Sequence, residues 1–139
     1  MMYASIDDLK SLLSEQELID LTDDEESGVV NDEIVNKAIE DASAEVDAFL
    51  IGRYEVPILP VPKVIRKLCV DIAIYNLFSR RLQDEIPENV RKRYEDAISL
   101  LKMIANGQIF LSVSSPEHSA SGYVKPAEQV FSRESLKEF

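Results

Sequence analysis

The chain predicts an all-α fold, a small helical bundle around one buried central helix, and three observations carry that reading. Within residues 57–82, PILPVPKVIRKLCVDIAIYNLFSRRL, three prolines precede an apolar run with almost no polar side, and a helix apolar all round is a buried one. Stretches on either side of it, starting at Glu33 and at Pro87, repeat apolar residues every three or four positions, the period of one helix face. A chain of 139 residues builds one core, so a single element of this kind is fully enclosed and the others lay one stripe against it.

Taken in order, Ser5 stands before Ile6, Leu9, Leu12 and Leu13 with Asp7 and Asp8 in the first turn, an N-capped short helix. Ser14 and Glu17 have capping-box spacing ahead of Leu18, Ile19 and Leu21, so a second short helix follows and the two form a lid. From Glu33 the residues Ile34, Val35, Ala38, Ile39, Ala42, Val46, Phe49 and Leu50 form the stripe of an amphipathic helix of about five turns, ended by Gly52. Pro57, Pro60 and Pro62 forbid a helix until Pro62 or Lys63 opens the central one. Pro87 starts the last long helix, striped by Val90, Tyr94, Ala97, Ile98, Leu101, Ile104 and Ala105 and closed by Gly107. Ile109, Phe110, Leu111 and Val113 fit one short β-strand; a lone strand needs a partner, and another subunit is one source of it. The chain thus divides into a helical domain, 1–113, and a flexible link with a C-terminal arm, 114–139.

Composition narrows the function. With 45% hydrophobic and 29% charged residues the chain is an ordinary single globular domain, and its longest apolar stretch, broken by Asp71 and Asn76, is too short to span a bilayer. No membrane partner and no targeting segment are expected. Cys69 is the single cysteine, which excludes an intrachain disulfide and a thiolate zinc site, suits a small buried hydrophobe, and fits a reducing cytoplasm. A net charge of −11 argues against gripping nucleic acid through its phosphates. The division of that charge says more. Residues 1–50 hold fifteen acids against Lys10 and Lys37, net −13, whereas residues 51–139 hold thirteen bases against eleven acids, net +2. A subunit acidic at one end and neutral to basic at the other attracts copies of itself head to tail, a contact that closes into rings or runs on as filaments. A solvated acidic surface accounts for the same charge equally well.

Several residues stand out as site candidates. Asp71 lies inside the buried run and needs a cation, and Arg53 ahead of the prolines is the expected partner in a structural ion pair. Residues 20–33 carry seven acids and no base, and Asp23, Glu25, Ser27, Gly28 and Asn31 fall on the places of a calcium loop. Ile34 replaces its bidentate Glu, so no metal site is expected and Asn31 or Asp32 instead caps the next helix. Arg91, Lys92 and Arg93 crowd the start of a helix, where the dipole disfavours cations; a partner's carboxylates are one compensation, and a solvated basic turn is the commoner case. His118 is read as an exposed residue of the link. Phe131, Leu136 and Phe139, with Arg133 among them, recover apolar anchors after that link, the pattern of an arm that contacts another chain. No nucleophile, base and orienting group come together and no glycine-rich phosphate loop is present, so neither catalysis nor a cofactor is expected.

MYASIDDL at the start, LTD at 21–23, GRY at 52–54, PVP at 60–62, CVDIAIY at 69–75, VRKRYEDAISLL at 90–101 and FSRESLKEF at the end resemble the head-to-tail joining proteins of Mu-like phages and prophages. The resemblance covers nearly the whole chain. It implies a connector adaptor of the phage neck: a helical protein that stacks as a ring of copies beneath the portal, offers a platform to the tail and leaves a channel through which DNA passes. Its expected partners are its own copies and the portal and tail proteins. Its expected location is the virion neck, and the host cytoplasm during assembly. Family members carry Asp where this chain has Glu25, Ser27 and Asn31, a departure that weakens the metal reading further. Two other classes compete: an acidic regulatory or inhibitory module that mimics nucleic acid, and a weak calcium-binding module.

Overall fold

Ser5 and Ser14 start their helices by the same device. Each side chain accepts the N–H three residues on, from Asp8 and Glu17, while those carboxylates accept the N–H of the serine, so two donors that the first turn leaves open are satisfied at each end. Asn31 does this for the next helix, its Oδ1 accepting from the N–H groups of Glu33 and Ile34. A computed structural model of the chain describes residues 2–81 and 84–111. Within them lie α1 (Ile6–Lys10), α2 (Glu15–Thr22), α3 (Asp32–Leu50), α4 (Lys63–Ser79) and α5 (Glu88–Ala105).

The predicted central helix is α4. Ile65, Leu68, Cys69, Val70, Ile72, Ala73, Ile74 and Leu77 are all buried, on more than one side, because α3 and α5 pack against it and against each other while α1 and α2 close over α3 and α4 as a lid. The stripe of α3 buries Val35, Ala38, Ile39, Ala42, Val46 and Leu50, and that of α5 buries Val90, Ala97, Leu101 and Ile104. Cys69 is the expected small hydrophobe: its Sγ lies 3.4 Å from Ser43 Oγ, and burial pushes the thiol pKa up. Tyr75 of α4 and Tyr94 of α5 stack with ring centroids 4.0 Å apart, and the Tyr94 hydroxyl donates to Glu45 of α3, tying the three long helices together.

Tyr3 anchors the start of the chain. Its N–H donates to Ser43 Oγ, its hydroxyl donates to Asp47 of α3, and the same hydroxyl accepts the buried N–H of Ile58 in the proline-rich segment. A segment barred by Pro57, Pro60 and Pro62 from making helical hydrogen bonds thus finds a partner for one of its remaining donors.

The short strand is not formed at residues 109–111, and Val113 lies outside the described residues. Gly107, at φ +86°, turns the chain back over the end of α5, so the N–H groups of Gln108 and Ile109 return to the Met103 carbonyl and that of Leu111 donates to the Tyr54 hydroxyl at 2.9 Å. These donors are satisfied locally and need no neighbouring strand.

Candidate functional site

The two ends of α4 carry opposite kinds of surface. At its start Pro62 occupies the N-cap without a side-chain hydrogen bond, and the first two turns present Lys63, Arg66 and Lys67. Arg93 reaches the same place from α5. The four cations line a hollow of about 300 Å³ with Asp8, Leu12, Val70 and Asp71 among its other walls. Asp71 is 2% exposed and makes two ion pairs, with Lys67 Nζ at 2.9 Å and Arg93 Nε at 3.1 Å. Asp8 is engaged by the Ser5 N–H in the α1 cap. Lys63 and Arg66 are exposed and form no ion pair among the described residues.

This corrects the partner expected for Asp71. Arg53 is not near it: its Nε donates to the Ala105 carbonyl at the far end of α5, and its guanidinium lies over Gly107. The fixed turn after α3 carries Arg53 to the C-terminal end of α5, whereas Asp71 looks toward the N-terminal half of α5, where Arg93 stands. The i,i+4 spacing of Lys67 and Asp71 is a usable sequence signal for one true partner. Lys63, Arg66 and Lys67 share the signal of residues 91–93, cations at a helix start that oppose its dipole.

At the other end of α4, Arg80 holds the acidic loop. Its Nη1 donates to the Leu21 carbonyl at 2.7 Å and its Nη2 pairs with Asp24, which Arg81 also approaches at 3.3 Å; the Arg80 hydrogen bond, with help from Arg81, keeps the Asp24 carboxyl below its usual range. Asp23 closes the loop from within. Its two oxygens accept from the Gly28 N–H and the Ser27 N–H, both at 2.7 Å, and these bonds hold its pKa down. Of the residues matched to the calcium template, Asp23 is engaged inside the loop and Asn31 as the α3 cap. Glu25 and Glu26 point outward with no ion pair among the described residues, and Val29 beside them is 59% exposed.

Of the other predicted interface residues, Arg91 and Lys92 are exposed on the first turns of α5, while Arg93 belongs to the Asp71 pair. Phe131, Arg133, Leu136 and Phe139 lie outside the described residues, as does the whole link and arm, 114–139. No helix among the described residues is long and apolar enough to cross a membrane.

The described residues thus define an all-α bundle of five helices with an acidic loop at one end of α4 and a cation-lined hollow at the other. The profile of the family described as Bacteriophage Mu, Gp36 matches residues 3–127, and the chain belongs to that family. It is 35% identical over 109 residues to the Mu-like prophage FluMu protein gp36 of Haemophilus influenzae, a match that covers 76% of this chain and 74% of the relative. It is 27% identical over 139 residues to Gene product J of Escherichia phage Mu, covering 96% of each.

Proposed function

We propose that the chain is a structural protein of the phage particle, one subunit of a ring at the neck that joins the capsid portal to the tail and leaves a channel for DNA, without catalysis. Membership in a Mu phage family along most of the chain supports a role in the phage particle, and the resemblance to head-to-tail joining proteins supports the neck. The observation that carries the ring is the separation of charge on the folded unit, acidic loop at one end of α4 and cations at the other, which favours a head-to-tail contact between copies. Portal and tail proteins are the further partners. The arm, through Phe131, Leu136 and Phe139 with Arg133, reaches one of these chains, as do Arg91 and Lys92.

Phage assembly with this chain deleted tests the reading. DNA-filled heads and finished tails should accumulate unjoined, and adding the chain back should join them. Joined, infectious particles formed in its absence would refute it.

A further inference from the structure

We infer that the acidic loop of one copy docks in the cation-lined hollow of the next, with Glu25 and Glu26 set against Lys63 and Arg66. This contact rests on the ring reading and names its chemistry.

Three observations carry it. First, the two surfaces cannot meet within one molecule. Arg80 pins the loop to the C-terminal end of α4 through the Leu21 carbonyl and Asp24, and the seventeen residues of α4 at 1.5 Å each set Lys63 about 25 Å away. Second, the cations of the hollow stand where they are disfavoured. Lys63, Arg66 and Lys67 occupy the positive end of the helix dipole, Pro62 supplies no side-chain cap, and the two carboxylates present, Asp8 and Asp71, are already engaged by Ser5 and by Lys67 and Arg93. Incoming carboxylates relieve both the repulsion among the cations and their conflict with the dipole. Third, the surfaces match beyond charge. The loop is held in shape by Asp23, so little ordering is needed on docking, and Val29, three residues after Glu26, is 59% exposed. Leu12, 48% exposed, and Val70 provide apolar wall in the hollow for it to pack against.

Two charge reversals test the contact. One variant carries Lys63→Glu and Arg66→Glu, so its hollow and its loop are both negative; the other carries Glu25→Lys and Glu26→Lys, so its hollow and the two loop side chains that face a hollow are both positive. The first places carboxylates at a helix start, which suits the fold, and thermal melts check both. Sedimentation of the full chain at low ionic strength and high concentration is the readout. Wild type should self-associate, each variant alone should lose association by about tenfold or more, and an equimolar mixture should regain it, because each hollow then meets a loop of opposite sign. Absence of wild-type association, undiminished association of either variant alone, or a mixture no stronger than its components would overturn the contact. Binding of duplex DNA by wild type that the first variant loses, with no rescue by mixing, would overturn it in favour of phosphate recognition. A neck ring seen in particles but indifferent to both reversals would overturn the contact and leave the ring. A neck without this chain would overturn the ring and leave the mixing result intact.

Discussion

Asp71 of α4 and Arg93 of α5 meet at 3.1 Å, the carboxylate buried and the guanidinium side chain 48% exposed, with Lys67, 63% exposed, on the other oxygen. The asymmetry in burial decides what breaks the pair. Without Asp71 both cations turn to water, so Asp71→Ala should cost about 1.5–3 kcal/mol, the value of hydrogen bonds to a charged group. Lys67→Met together with Arg93→Met strands the carboxylate in the core, at about 3–5 kcal/mol. Urea unfolding of both variants checks this, and a larger loss for Asp71→Ala than for the double variant would contradict it.

Tyr3 predicts a stability that falls in alkali. Burial, with the hydrogen bond to Asp47, pushes its pKa from 10.0 up to about 12, so between those values the unfolded chain loses a proton that the folded chain keeps, and folding weakens as pH rises. Tyr3→Phe should remove its share of that slope. It should also cost about 1–3 kcal/mol at neutral pH, because the buried Ile58 N–H loses its acceptor. An unchanged alkaline slope in Tyr3→Phe would exclude this account.

Much of this arrangement is legible in the amino-acid order. Serine caps at Ser5 and Ser14, proline punctuation before Lys63, the stripes of α3 and α5 and the apolar run of α4 are local signals, and local signals place helices. The partner of Asp71 depends on how two helices face each other, which periodicity does not report; Arg53 is nearer than Arg93 in sequence and farther in space. Residues 109–111 have strand-like composition, but Gly107 folds them back onto α5 and Tyr54. Of the cations in the hollow, Arg93 alone belongs to a conspicuous basic cluster. Lys63, Arg66 and Lys67 are interleaved with so strong an apolar run that their place against the helix dipole is masked by it.

Gly107 and Gly52 should respond differently to alanine. At Gly107, φ +86°, a Cβ would sit 2.8 Å from Arg53 Nη2, so Gly107→Ala should lose about 1–2 kcal/mol through backbone strain and displacement of Arg53. A Cβ at Gly52 meets nothing within 4 Å, so Gly52→Ala should be neutral or slightly stabilising. Thermal melts of the two variants, with equal losses, would refute the distinction.

The acidic loop should open in acid before the bundle does. Asp23 is held below its usual 3.8 by the Gly28 and Ser27 N–H groups, so its contribution is complete above that value and is lost as pH falls through the lowered one. Protection of the Gly28 amide, measured against its intrinsic exchange rate at the same pH, should therefore fall in acid, and in Asp23→Ala at neutral pH, while α4 amides stay protected. Equal protection of Gly28 in Asp23→Ala and wild type would show that something else holds the loop.

Electron microscopy of intact particles carrying this chain tests the central claim most directly. A closed ring of copies of the α3–α5 bundle, seated between portal and tail around an open channel, is the predicted result. A joint between head and tail built without this chain, or the chain found elsewhere in the particle, would contradict it.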